Sequence, residues 1–191
     1  MNNRIRVYMY LLEHRRAPCS IRAVAKALKM NYRIAFDAVK TLESQNTVKI
    51  HKIGNTSQCA LAYLYTETAL EAEAARKEQL LKDKDIKIIY NNINELKDPF
   101  FICLLFGSYA RREQKRGSDI DLCVISDDVR LIEKAARTIK MLALPINLIS
   151  FSVSEFTSML KTTDPNVGKE IVQNNVILIG GESFYRLVNY A

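Results

Sequence analysis

The chain has 191 residues, 48% of them hydrophobic, which is enough to bury the core of one large or two small domains. Its longest apolar run, residues 100–106, is far shorter than the roughly 20 residues that cross a bilayer, so we expect no membrane partner. Arg6 interrupts the first apolar stretch and no cleavage site follows it; we therefore expect no signal peptide and a cytoplasmic location.

The formal net charge of +7 is unevenly distributed along the chain. Residues 1–65 hold 11 Lys or Arg against three acids, whereas residues 66–191 hold 17 against 18. A basic excess confined to one third of a protein is typical of a partner with a phosphate backbone, because a surface adapted only for solubility mixes both signs.

Hydrophobic periodicity in this basic third predicts three helices. Apolar residues recur at helical spacing over residues 5–12 and again over residues 21–28. A third helix, with Asn31 as its N-cap, extends to about Ser44. Its inward-facing residues are predicted to be Ile34, Val39 and Leu42.

Two extended stretches, residues 47–53 and 58–65, flank Gly54 and Asn55, which predicts a β-hairpin. Three helices and a hairpin resemble the winged helix-turn-helix domain over residues 3–65, in which the third helix enters the major groove of double-stranded DNA. The DNA contacts that this resemblance implies are Ser20, Arg22, Tyr32, Arg33, Lys40, Lys49, Lys52 and Asn55. For each residue alone, a solvated surface position is an equally good interpretation, so the hypothesis depends on the cluster.

Residues 66–97 are rich in Ala, Glu, Lys and Leu, which are good helix formers. Thr68 and Glu71 fit a capping box at the start of one helix, and Asp98 and Pro99 end a second helix. We interpret residues 67–97 as a helical linker, which also offers a surface for a homodimer contact. It joins a domain of residues 1–66 to a domain of residues 98–191.

The most specific pattern in the chain lies in residues 100–126. An apolar stretch ends at Gly107 and Ser108, a polar helical segment follows, and a second apolar stretch opens with Asp119 and Asp121. The spacing Gly-Ser-x10-Asp-x-Asp, with Tyr-Ala-Arg after the serine, resembles the nucleotidyltransferase superfamily of the polymerase-beta type, and most closely its minimal members. The Gly-Ser pair alone or the Asp-x-Asp pair alone would be weak evidence, since both occur by chance in turns and at strand ends.

Nucleotide chemistry accounts for each part of this pattern. Residues two apart on a strand point to the same face, so Asp119 and Asp121 present two carboxylates to Mg²⁺ or Mn²⁺. A glycine lets the backbone approach a phosphate, and the helix that begins there directs its positive end at the anion. The residues expected to bind the triphosphate, for which ATP is the expected nucleotide, are Gly107, Ser108, Arg111 and Arg112. The structural alternative is a strand end whose acids form salt bridges with these basic residues.

The sequence departs from the family at two positions. The resemblance implies a third carboxylate on the next strand, residues 146–151, where it completes the metal site and helps to activate the attacking hydroxyl. That strand holds Asn147, whose amide oxygen can ligate a cation but cannot accept a proton. Arg112 stands where minimal members commonly have glycine.

Later segments complete an α+β fold, a winged helix followed by a linker and a nucleotidyltransferase-like mixed sheet flanked by helices. We predict helices over residues 128–144, 165–172 and 183–190, and a short strand over residues 176–179. The four cysteines form no CxxC pair and are expected to be buried hydrophobes.

Two functions from different classes fit these patterns. The first is transfer of a nucleoside monophosphate from an NTP to a small hydroxyl compound, a nucleic acid or a protein, including a toxin partner as in toxin and antitoxin pairs. The second is a DNA-binding transcriptional regulator with a catalytically degenerate nucleotidyltransferase domain. The two aspartates favour the enzyme, whereas the missing third acid and the basic first third favour the regulator.

Overall fold

The computed structural model of the protein describes residues 2–96 and 101–191. The chain divides into two compact units, Met1–Ala75 and Arg76–Ala191, and each is described by itself. The predicted helix stop at Asp98 and Pro99 lies outside the described residues. None of the helices described is long and apolar enough to cross a bilayer.

The first unit contains three complete helices, the start of a fourth and a small antiparallel sheet. Its elements are α1 (Asn3–Glu13), β1 (Cys19–Ser20), α2 (Ile21–Ala27), α3 (Tyr32–Ser44), β2 (Val48–Ile53) and β3 (Thr56–Leu61). The sheet order is β1-β3-β2, and Gly54, with φ of +56°, lies in the two-residue turn between β2 and β3. The predicted three helices and hairpin are therefore confirmed, whereas β1 was not predicted.

Short polar side chains start each helix of the first unit. Asn2, Ser20 and Asn31 are the N-caps of α1, α2 and α3, and each side-chain oxygen accepts a backbone N–H of its own helix. Such a bond satisfies a donor that the helix itself cannot. Because the hydroxyl of Ser20 is used in this way, the residue has a structural role at a position where we predicted a DNA contact.

The prediction that Ile34 faces inward is wrong. The residues of α3 that are buried are Ala35, Ala38, Val39 and Leu42. Ile34 is 44% exposed. The small side chains of Ala35 and Ala38 lie on the buried face of α3, and Ile34 lies to one side of that face.

The second unit is built around a four-stranded mixed sheet. Its helices are the end of α4 (Glu67–Leu80), α5 (Lys84–Asn94), α6 (Gly107–Arg111), α7 (Val129–Lys140), α8 (Val153–Lys161), α9 (Val167–Gln173) and α10 (Gly181–Tyr190). Its strands are β4 (Ile102–Phe106), β5 (Ile120–Ile125), β6 (Ile146–Phe151) and β7 (Asn175–Ile179), in the order β6-β5-β4-β7. Only the β5–β6 pair is parallel.

Helices α5 and α7 cover one face of this sheet. Ile86, Ile89 and Ile93 of α5 are fully buried and pack in one cluster with Ile120 and with the other core-facing residues of β4 and β5. Residues of the segment predicted to be a linker thus contribute to the core of the second unit. The predicted capping box at Thr68 is wrong, because the Ala69 N–H donates to the hydroxyl of Thr66 one turn earlier.

Candidate functional site

The candidate site lies at the edge of the sheet where β4 ends and β5 and β6 begin. Neighbouring strands place Asn147, Asp121 and Phe106 in one row, since Asp121 pairs with both other residues. Ile120 is fully buried in the core, so Asp119 and Asp121 on either side of it point away from α5 and α7. Asp119 immediately precedes β5 and is exposed, whereas Asp121 is half-buried.

Gly107 and Asp121 are in direct contact. Gly107 follows the last residue of β4 and has φ of +68°, which is the left-handed region. A Cβ at this position would lie 2.1 Å from Oδ2 of Asp121 and 3.0 Å from its Cγ. The carboxylate therefore occupies the space that any other residue's side chain would need, and this contact explains why glycine is required here.

Asn147 is the residue that contacts Asp121 from the neighbouring strand. Its Nδ2 donates to Oδ1 of Asp121 at 3.1 Å. The sequence predicted that Asn147 occupies the position of a third carboxylate, and the structure places it directly beside Asp121. Within the described residues there is no cluster of three or more His, Cys, Asp or Glu that could hold a metal ion.

The donor set of the site suits one hard divalent cation. Among residues 2–96 and 101–191, no lysine or arginine forms an ion pair with Asp119 or Asp121. Two carboxylates without a cationic partner can share a divalent ion through their oxygens. Asn147 would supply a third oxygen if its amide turned to present the carbonyl, which requires breaking its bond to Asp121.

The turn after β4 carries the predicted phosphate-binding residues. Ser108 is half-buried in α6, a helix of only five residues, so the dipole that this helix could direct at an anion is small. Nε of Arg111 lies 2.7 Å from Oε2 of Glu113, and Nη1 of Arg111 lies 3.9 Å from Oε1 of Glu170. The Arg111 guanidinium therefore borders the turn but is already engaged by two carboxylates.

Arg112 ends α6 in the left-handed conformation, with φ of +58°. A residue without a Cβ adopts this conformation without strain, which gives a physical reason for the glycine that the resemblance implies at this position. The Arg112 guanidinium donates a hydrogen bond to Oε1 of Gln79 in α4. Sequence reasoning did not find Gln79, because nothing in the primary structure places the end of α4 beside α6.

Tyr109, directly after Ser108, packs against the core that α5 forms. Burial raises the pKa of its phenol above the usual value, and the carboxylates of Asp83 and Asp85 raise it further. The hydroxyl therefore stays protonated at neutral pH and is not a base for the site. At the start of α8, the Ser152 N–H and hydroxyl form a capping box with Glu155 and lower the pKa of its carboxyl.

The residues predicted to face DNA lie on α2, α3 and the hairpin of the first unit. Ser20 is half-buried. The exposed members of the set are Arg22, Tyr32, Arg33, Lys40, Lys49, Lys52 and Asn55.

A cavity of about 410 Å³ opens at the opposite end of the sheet. It is lined by Ile102, Ser126, Asp127, Asp128, Val153, Ser183 and Leu187. Oδ1 of Asp127 accepts the Val153 N–H at 2.9 Å, and Oδ1 of Asp128 accepts the Arg130 N–H at 2.9 Å. The cavity therefore lies at the end of the sheet away from Gly107 and Asp121, and its two acids are engaged in capping helices.

Comparison with known proteins adds one finding. The family model described as Polymerase beta, Nucleotidyltransferase matches residues 84–183, from the first residue of α5 into α10, which is more than half of the chain. No curated protein and no solved structure matches the chain. The matched region contains the Gly107 turn, both aspartates and Asn147.

Proposed function

The chain belongs to the polymerase beta-type nucleotidyltransferase family, and on this premise we propose that its second unit binds a nucleoside triphosphate with Mg²⁺ or Mn²⁺. ATP is the expected nucleotide. The observation that carries the proposal is the contact between Gly107 and the carboxylate of Asp121. This contact brings a phosphate-binding turn and a cation ligand together at one point, as a metal-bound triphosphate requires.

Each residue of the site would contact a different part of the metal-bound nucleotide. Asp119 and Asp121 would hold the cation, which neutralises charge that develops on a leaving pyrophosphate. The Ser108 hydroxyl and N–H would bind a phosphate oxygen beside Gly107. Arg111 would exchange its ion pair with Glu113 for the triphosphate, because an exposed ion pair is worth only about 0–1 kcal/mol.

We further propose nucleotidyl transfer to a hydroxyl acceptor, at a reduced rate. An acceptor oxygen would form a bond to the α-phosphorus while the bond from that phosphorus to the pyrophosphate oxygen breaks. The acceptor proton passes to solvent, because Asn147 cannot accept it. A positioned general base contributes roughly 10²–10⁴-fold to such steps, so we expect transfer to be slower by about this factor than with a third carboxylate. The acceptor classes remain a protein such as a toxin partner, a nucleic acid and a small hydroxyl compound.

The experiment is incubation of the full chain with Mg²⁺ and each α-³²P-labelled NTP, together with candidate acceptors. We expect label transfer that Asp119→Asn abolishes, whereas Asp164→Asn, a change at an exposed acid outside the site, leaves it intact. Nucleotide binding without any transfer would contradict the enzymatic proposal.

For the first unit we propose binding to double-stranded DNA. Support comes from the exposure of Arg22 on α2 and of Lys49 and Lys52 on the hairpin. Residues 1–65 hold eight more basic than acidic residues, and the first unit as a whole holds five more. Neutralised phosphates release counterions, so affinity should fall steeply with salt concentration. Lys52→Ala should weaken binding to every duplex about equally, whereas Lys82→Ala in the second unit should not.

A second candidate function is a DNA-binding regulator whose second unit binds nucleotide without transfer. The hydrogen bond from Asn147 to Asp121 favours it, because an amide occupies the position of the missing acid. The label-transfer experiment separates the two candidates. Calorimetric binding of nucleotide without label transfer is the result that the regulator predicts.

A further inference from the structure

The outward face of α3 carries no net charge, although the first unit is strongly basic. Nε of Arg33 lies 3.1 Å from Oδ2 of Asp37, and Nζ of Lys40 lies 2.7 Å from Oε2 of Glu43. These four residues are the only ionisable side chains of the 13-residue helix apart from the Tyr32 phenol. DNA could break such exposed pairs, but both acids would remain beside the groove.

Arg33 is consequently poorly placed to recognise guanine by hydrogen bonding. A guanidinium recognises guanine by donating two parallel bonds to its O6 and N7. In α3 the Nε donor of Arg33 is already bound to Asp37, one turn further along the helix. The carboxylate of Asp37 would also repel the O6 and N7 acceptors of a guanine that Arg33 approached.

Apolar side chains are exposed on the same first turns of α3. Ile34 is 44% exposed and Tyr32 is 49% exposed, and the Tyr32 ring lies 6.1 Å from the ring of Phe36. Ile34 is three residues before Asp37, so the two lie on neighbouring positions of the helix surface. Ala35 and Ala38 occupy the core face, which leaves the branched side chain of Ile34 available to a partner.

From this arrangement we propose that α3 recognises thymine through its C5-methyl group, with Ile34 as the contacting residue. The inference rests on the proposed DNA binding of the first unit. In the major groove only thymine presents a methyl group, and apolar side chains contact it. The charges for phosphate binding come from α2 and the hairpin, so α3 is free to read bases with an apolar surface.

The magnitude follows from the methyl groups that are removed from water. Each buried methylene-sized group changes an equilibrium constant by about fourfold at 25 °C. One or two methyl contacts should therefore give a preference of about 4-fold to 15-fold for a duplex with thymine over the same duplex without the methyl groups.

The experiment compares two 20-base-pair duplexes by fluorescence anisotropy with the full chain. Both have alternating A·T pairs, and one has deoxyuridine in place of every thymine, which removes only the methyl groups. We expect the wild-type chain to prefer the thymine duplex by about 4-fold to 15-fold. Ile34→Ala should equalise the two affinities and keep the same dependence on salt, whereas Leu70→Ala, a change at a 51% exposed residue of α4, should leave the preference unchanged.

Three results would overturn the proposal, and they are distinguishable. Equal wild-type affinities for the two duplexes, with steep salt dependence, would exclude thymine recognition and leave DNA binding intact. A thymine preference that persists in Ile34→Ala would exclude Ile34 as the contact. Failure to bind either duplex at low salt would refute DNA binding by the first unit, and thymine recognition with it.

Discussion

Replacement of Gly107 by alanine tests the contact on which the nucleotide site is built. The new side chain would be placed at φ of +68°, which costs an L-residue about 1–2 kcal/mol. Its Cβ would also lie 2.1 Å from Oδ2 of Asp121, so the carboxylate would have to rotate and release Asn147. Loss of a hydrogen bond to a charged group costs roughly 1.5–3 kcal/mol when buried, and we take about 1–2 kcal/mol for this half-exposed pair. Gly107→Ala should therefore destabilise the protein by about 2–4 kcal/mol in total.

A double-mutant cycle separates the two contributions to this cost. In an Asp121→Ala background the carboxylate is gone and the nearest remaining atom is Cβ of residue 121, at 3.3 Å. The cost of Gly107→Ala should fall there to about 1–2 kcal/mol, which leaves a coupling energy of about 1–2 kcal/mol between the two positions. Urea unfolding of the full chain, followed by circular dichroism, measures each free energy of unfolding.

Gly117→Ala is the matched control for this cycle. Gly117 has φ of +86°, and a Cβ there would meet no atom within 4 Å. It should therefore show the backbone cost alone, in either background at residue 121. An equal cost for the two glycines, or a Gly107→Ala cost that Asp121→Ala leaves unchanged, would refute the inference that the Asp121 carboxylate occupies this space.

Three further predictions follow from particular side chains. Arg112→Gly should exceed Arg112→Ala in free energy of unfolding by up to about 1 kcal/mol, measured by urea unfolding, because both variants lose the hydrogen bond to Gln79 and only alanine keeps a Cβ in the left-handed conformation. Equal stabilities of the two variants would contradict the strain assigned to Arg112. Asn147→Asp should destabilise the metal-free protein by roughly 1–2 kcal/mol, because it sets two carboxylates about 3 Å apart. The same variant should raise label transfer at least tenfold with Mg²⁺, and unchanged transfer would exclude a base at this position. Burial raises the pKa of the Cys59 thiol to about 11, and Cys59 is 1% exposed. At pH 8, iodoacetamide should therefore modify the half-buried Cys19 before Cys59, which mass spectrometry can follow. Modification of Cys59 before Cys19 would contradict the burial of Cys59.

Most elements of the second unit could be predicted, because the hydrophobic pattern and the turn residues of each segment agree with the helix or strand that it forms. The strand after residue 100 is a continuous apolar run and β5 is apolar apart from Asp121, while a glycine follows the first strand at the position that needs one. The resemblance placed Asn147 on the next strand at the position of a third carboxylate, and the observed pairing of β5 with β6 puts it beside Asp121. The family resemblance came from the same segment, and the family match confirms it at the level of the nucleotidyltransferase domain.

Other features could not be predicted because they depend on contacts distant in the chain. Nothing in β7 indicates that it pairs antiparallel with β4, and nothing near Gln79 indicates its bond to Arg112. The inward face of α3 was misassigned at Ile34, because hydrophobicity alone did not show that the small residues Ala35 and Ala38 would face the core. In each case long-range packing, and not local propensity, decided the outcome.

The most direct test of the nucleotide site is calorimetric titration of the full chain with ATP in the presence and absence of Mg²⁺. We predict binding that requires the cation and that weakens at least tenfold in Asp119→Asn and in Asp121→Asn, while thermal unfolding shows that both variants remain folded. ATP binding that is equally tight without Mg²⁺, or that both substitutions leave unchanged, would contradict the assignment of these two carboxylates as the ligands of the metal-bound nucleotide.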